Sequence, residues 1–472
     1  MSDRRVFRWA TTSARLLAGT VVSALAVVAV VTAVTVPWPT LSREPVAVSA
    51  VPAPAESVIA CDGGLLTLGR DLTDAAAVAL AAPQSVYSGV ADGVPEPAEA
   101  RLAVPQVFGG SGPVVFTSQP QGRSRTDVAA SGSATASDDD LAGFAASACR
   151  PPLMESWLVG GSAATGAADL VLLSNPGTVA ATVQLTVFGA AGEQTPPGGT
   201  DVIVAAGTQR IIPLAGLVLG EESPVVRISA IGAPVHAALQ TSITRTLTPG
   251  GVDQVGAITE PEQNQVITGV TVTRRSGADG ASDAATVLRL LSPSADAAAT
   301  ITVTAVGRGD PALSPVSLSL VAGEPAELDL GGLLIGTYTV EVIADAPVVS
   351  AVWQTTGFDE GDDFAWFTPA PIVDAPSLFA TTAGPPPVLT VVNSGDAAAT
   401  VAITSNDGSF RLELAVPPGG SAIGRLSPRT VYLLDSGGAA VRAGLSVSGD
   451  GALAGFPVWP ADAAAPAIVV YP

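Results

Sequence analysis

The sequence predicts an all-β protein: an N-terminal transmembrane helix followed by tandem immunoglobulin-like β-sandwich modules. Three observations predict it. The apolar share is 47% but comes mostly from Ala and Val, with 50 Gly, 39 Pro and only 4% aromatics, a strand-and-turn composition. An unbroken apolar run lies near the N-terminus, and the chain beyond Cys149 repeats itself. With 472 residues the chain has room for about three to four domains, so one large core is not expected.

Taken in order, residues 1–15 read as a cytoplasmic N-terminus and residues 16–36 as a transmembrane signal anchor. Arg4, Arg5, Arg8 and Arg15 precede the apolar run Leu16–Val36. About 20 residues suffice for a helix to cross a bilayer, and basic residues on one flank alone hold that flank inside. The expectation is a single-pass protein of the cell membrane with its C-terminal bulk extracytoplasmic. The rival is a cleaved signal peptide, whose apolar region normally spans roughly 7–15 residues. Trp38 suits the interfacial aromatic belt. Residues 37–57, rich in Pro and Ala, read as an extended stalk.

Residues 58–150 read as a first β-rich module. Leu65–Leu68, Val86–Val90 and Val114–Thr117 are β-like runs, and the Ala-rich Leu141–Cys149 is expected to form a short helix, with Asp138, Asp139 and Asp140 as its N-terminal cap or a plain loop. The only cysteines, Cys61 and Cys149, fall on the outer side of the anchor, where a pair reads as a disulfide.

Three repeats follow, over 153–262, 266–374 and 377–472. The segments starting at Leu172, Leu290 and Val391 each read as strand, Pro/Gly/Asp turn, and strand opening on Ala-Thr, the pattern of a β-hairpin. A second landmark recurs at one offset: Gly207 to Leu214, Gly323 to Leu330, Gly419 to Leu426. A third is a pair of apolar strands about a short turn, closed by Gln240 and Gln354 in the first two copies. Short alternating strands in units of this size predict sandwiches.

The run Ala148-Cys149-Arg150-Pro151-Pro152, then Ser156-Trp157, Gly160-Gly161 and LVLLSNPG, resembles a family of actinobacterial membrane-anchored exported proteins that carries only a domain-of-unknown-function label. The resemblance covers nearly the whole chain. It implies the topology and an all-β fold, supplies no active site, and places members near genes for glycosyltransferases.

Chemistry-bearing residues are sparse. The net charge of −21 and the absence of Lys argue against nucleic acid. One histidine, His236, makes no triad or histidine-based metal set, and with two Cys it falls short of a four-ligand zinc site; it reads as a satisfied or surface strand residue. Arg123 with Arg125, and Arg274 with Arg275, read as hairpin-tip charges. The sharpest cluster is Phe358, Asp359, Glu360, Asp362, Asp363, Phe364 and Trp366, where aromatics beside acids make an interaction surface, a sugar platform or a calcium loop. Its plainer reading is a solvated loop over packed aromatics. No cofactor or metal is expected. The function that follows is a non-catalytic membrane-tethered spacer or adaptor of the cell envelope, with an envelope protein or glycan as partner. The alternatives are a carbohydrate-binding or glycosyltransferase-accessory protein and a carboxylate-dependent glycan hydrolase.

Overall fold

The computed structural model describes residues 3–35, 48–50, 54–69, 77–107, 111–122, 124–275, 284–461 and 468–470. The Trp38 belt position, most of the stalk and Arg123 lie outside them. Two compact units result, one of residues 1–51 with 467–472 and one of residues 52–466. The first holds a helix, Asp3–Thr35, and a short antiparallel ladder of Val48–Ala50 with Ile468–Val470. Among the described residues no helix is long and apolar enough to cross a membrane.

The second unit is built of antiparallel sheets. In the first repeat, Glu155–Val159, Val225–Ile231, Ala181–Gly189 and Val202–Val204 make one sheet, and Thr208–Pro213, Leu170–Asn175, His236–Arg245 and Thr248–Gly256 the other. Strands counted in chain order, with the short Gly192–Gln194 left aside, run 1-6-3-4 and 5-2-7-8. The third repeat has the same two orders, starting at Ser377–Ala380 and ending at Ala452–Pro457. The second has them too, except that strands 6 and 7 are one 20-residue strand, Gly336–Thr355. Its first half pairs with Ala297–Ala305 and its second with Thr286–Leu291. An immunoglobulin domain also pairs strand 2 with 5 and strand 3 with 6, but there strand 1 joins the 2-5 sheet and strand 7 the 3-6 sheet. Here those two outer strands have exchanged sheets.

Alternation explains why the two sheets of a repeat share one core. In Ala181–Gly189 the inward Val183, Leu185 and Val187 are fully buried and meet Val171, Leu173 and Leu239 of the opposite sheet. Each buried side chain of this size contributes roughly 1.5–3 kcal/mol.

The segments read as hairpins are not hairpins. Strands 2 and 3 lie in different sheets, and the chain between them arches across the core. Asn175 explains the difference: its Oδ1 accepts the Gly177 N–H, an Asx turn, while Nδ2 donates to the carbonyls of Val179 and Val204. Asn393 makes the same three bonds, to Gly395, Ala397 and Val416. Both are fully buried, so an Asn-Pro-Gly or Asn-Ser-Gly turn here closes on the facing sheet. In the second repeat Ser292 stands in place of Asn, its hydroxyl donating to the Ala295 carbonyl. The second landmark meets the first at this point. Gly207, Gly323 and Gly419, all at positive φ, donate their N–H groups to the carbonyls of Asn175, Ser292 and Asn393. Leu214, Leu330 and Leu426, seven residues on, are buried.

In the first module, Leu65–Leu68, Ser85–Val90 and Val114–Ser118 are strands. The helix expected over Leu141–Cys149 is instead a strand, Ala142–Ala148, laddered to Val128–Ser137, and Asp138–Asp140 are the turn between them. Tertiary contact overrides local propensity here: a Cβ at Gly143 would sit 2.7 Å from Asp363 Oδ1 and from the Val252 nitrogen, a fit that only a glycine in extended chain allows. Cys61 and Cys149 are disulfide-bonded.

The modules are not beads on a string. Phe364 and Trp366 of the second repeat complete the core of the first, Leu453 of the third enters the core of the second, and Phe144 of the first module enters that of the third. The last strands of the repeats, Thr248–Gly256, Phe364–Phe367 and Ala452–Pro457, gather with Ala142–Ala148 around one point.

Candidate functional site

That point is Asp363, which is fully buried. Its Oδ2 accepts N–H groups from Phe144 and Leu453 at 3.0 Å each, and its Oδ1 accepts from Val252 at 3.2 Å. One carboxyl therefore ties its own repeat to the first module and to both other repeats. Burial pushes Asp363 well above the usual carboxylate range, against the pull of these donors.

The sequence cluster around it is split, not assembled into a surface. Asp359 and Glu360 are exposed. Asp362 is buried and pairs with Arg274 at 2.8 Å, so that arginine is no free tip charge. Phe364 and Trp366 are buried, at 0% and 5% exposure, because Phe364–Phe367 is the eighth strand of its repeat. Phe358 is half-buried between Trp353 and the Arg245 guanidinium. The reading of a solvated loop over packed aromatics agrees with Asp359, Glu360, Phe364 and Trp366, and fails for Asp362 and Asp363, which turn inward.

His236 is buried too. Its Nε2 lies 2.6 Å from Asp62 Oδ1, and burial holds its pKa below the ordinary value, more than Asp62 raises it, so it is neutral at neutral pH. Nearby, Arg150 donates to the carbonyls of Ala257 and Ala237. Gln240 brackets the Leu66 peptide, accepting from its N–H and donating to its carbonyl. Asp253 accepts the Trp366 N–H at 2.7 Å and burial lifts its pKa to about 8. His236, Arg150 and Gln240 clasp the first module to the first repeat, with the histidine spent on that clasp, while Asp253 joins the first repeat to the second. Among the described residues no three His, Cys, Asp or Glu side chains are grouped to hold a metal ion.

A cleft of about 210 Å³ lies between the first and second repeats. Phe364, Trp366, Arg289, Asp169 and Thr241 are among its buried parts, Trp353 is half-buried on one wall, and Glu222 and Glu327 stand exposed at its rim. Arg289 spans the junction: Nη1 donates to the carbonyls of Gly161 and Pro224, Nε and Nη2 to Glu327, and the guanidinium lies 4.7 Å over the Trp366 ring. Asp169 is held by the N–H groups of Ser162 and Ser242, and burial raises its pKa to about 7. Thr241 is 2% exposed and its hydroxyl has no partner. Of these residues the sequence reading singled out only Phe364 and Trp366. Asp169, Thr241, Arg289, Glu327 and Trp353 come from segments far apart in the chain, and only Trp353, inside the third landmark, carried a signal.

Residues 104–413 match the family described as Family of unknown function (DUF5719), and the chain belongs to that family. No curated protein matches it.

Proposed function

We propose that this member of a family of unknown function is a non-catalytic adaptor of the cell envelope, tethered to the membrane by its N-terminal helix with the modules outside the cytoplasm. The observation that carries the reading is the Asp363 junction. A head whose modules share buried polar bonds and merged cores presents one fixed surface, which suits docking of a partner better than it suits a hinged spacer. The modules are read as immunoglobulin-like in architecture, keeping the inner 2-5 and 3-6 pairings while the outer strands are redistributed.

Support for the tether comes from the apolar run Leu16–Val36 with arginines on one flank only. The apolar side chains of Leu17, Val21, Leu25 and Val28 are exposed, which in water is costly. The disulfide supports an oxidising compartment. The partner is taken to be an envelope protein. Crosslinking the full chain in cells tests this: recovery of one discrete protein sustains the adaptor, and recovery of glycan alone overturns it. For the topology, alkaline phosphatase fused after Pro472 is active if the bulk is exported and inactive if it is not.

A further inference from the structure

We infer that the edge of strand 5 in the third repeat, at Ile423–Arg425, is where an extended segment of a partner protein docks, a segment that carries an apolar residue beside an acid. The inference rests on the adaptor reading and names the part of the head that the partner takes.

The three repeats carry the same edge in three conditions. Counted from the landmark glycines, Gln209, Pro325 and Ser421 are equivalent, as are Ile211, Glu327 and Ile423, and then Pro213, Asp329 and Arg425. Along an antiparallel edge strand, residues that bond the neighbouring strand alternate with residues whose peptide groups face away from it. Leu214, Leu330 and Leu426 donate to the carbonyls of Asp169, Thr286 and Pro387 at the start of strand 2, so by alternation all three equivalent sets face out.

In the first repeat this edge is covered. Ala103 exchanges backbone bonds with Gly207 and Gln209, running parallel to the strand. The Gln106 amide brackets the Ile211 peptide, donating to its carbonyl and accepting from its N–H. Ile211 itself is 1% exposed, packed with Val107 and Val104. In the second repeat the edge is blunted: Pro325 has no N–H to offer, and Glu327 and Asp329 place charge along it, devices by which edge strands refuse pairing. In the third repeat it is open. Ile423 keeps the apolar character of Ile211 but is 44% exposed. Among the described residues nothing bonds the outward peptide groups of Ile423 and Arg425.

A bare strand edge takes an extended peptide through main-chain bonds, and the side chains beside it set the selectivity. Here the covered edge of the first repeat is the template: an extended segment with an apolar side chain laid over the isoleucine. Arg425 adds the charge. It is exposed and forms no ion pair among the described residues, on a chain whose net charge is −21, so it favours an acid on the docked segment.

The test places the photocrosslinker benzoylphenylalanine at position 423 of the full chain in its own cells, with exposed position 329, on the blunted edge, as control. Adducts are expected in several-fold excess at 423, mapping by mass spectrometry to one extended, acid-bearing segment of another protein. A synthetic copy of that segment should bind the purified chain, and several-fold more weakly after Ile423→Glu or Arg425→Glu. Ile423→Glu gives this edge what the second repeat already carries at Glu327, so the melting temperature stays level. Adducts to a second copy of this chain, equal yield at 329, or a peptide indifferent to both substitutions overturn the inference. If general crosslinking recovers a partner protein while position 423 yields none, this inference falls and the adaptor reading stands; if neither recovers a protein, both fall.

Discussion

The arch at Asn393 and the junction at Asp363 solve the same problem at different ranges. Each is a fully buried polar side chain that satisfies backbone groups of more than one strand. The partners of Asn393 are 2, 4 and 23 residues away, whereas those of Asp363 are 90, 111 and 219 away. Short range makes the arch a property of a motif, repeated as Asn175. Long range makes the junction a property of the assembled unit, and it occurs once. The arch stabilises one repeat; the junction decides whether four modules behave as one.

Substitution should separate the two. Asp363→Ala strands three buried N–H groups at once, so it is expected to cost at least about 3–5 kcal/mol and to split urea unfolding into more than one transition; a single unshifted transition would remove the junction from its central role. The buried carboxyls give a pH effect of a few kcal/mol, because a tenfold difference in proton affinity between the folded and unfolded chain is worth about 1.4 kcal/mol. Asp127, Asp169 and Asp253 are lifted by burial to about 6, 7 and 8. The native state therefore holds protons that the unfolded chain has released, and their contribution is full below about pH 4 and lost as pH rises towards 8. His236, lowered by burial, works the other way, its contribution present above about pH 6.5 and lost as pH falls below it. Three carboxyls outweigh one imidazole, so the melting temperature should be higher at pH 5.5 than at pH 8; the reverse order would show these carboxyls to be ionised in the fold.

Asn393→Ala should cost about 1–3 kcal/mol, for the lost bonds of a fully buried arch, as one cooperative transition without separation of modules. Smallest is Gly419→Ala. The site is open around a Cβ, but φ is +62°, so the cost is that of the backbone alone, about 1 kcal/mol. A neutral result in thermal melts would mean the turn relaxes.

The same contrast explains what the sequence made legible. Repeats, strands and the Gly-to-Leu offset were readable because each rests on contacts within one repeat. The arch reads as a hairpin because Asn-Pro-Gly marks a reversal without saying which sheet receives the chain. The strand Ala142–Ala148 reads as a helix because what fixes it, the close approach of Asp363 and Val252 to Gly143, lies far along the chain. The acid-aromatic cluster is visible in the sequence, but its place at the surface is wrong. Composition marks it as unusual, yet nothing local shows that Asp363 turns inward while Asp359 turns out. The cleft shares that fate: Asp169, Thr241 and Arg289 have no common pattern until the repeats dock.

The 20-residue strand Gly336–Thr355 has a mechanical consequence. In the first repeat, strands 6 and 7 are separated by residues 232–235, a connector that can absorb slippage of one layer against the other. In the second repeat a single peptide backbone belongs to both layers, so shear between them would have to stretch covalent bonds or unzip ladders on both sides. Under tension, the second repeat is the keel of the head, and its neighbours yield first.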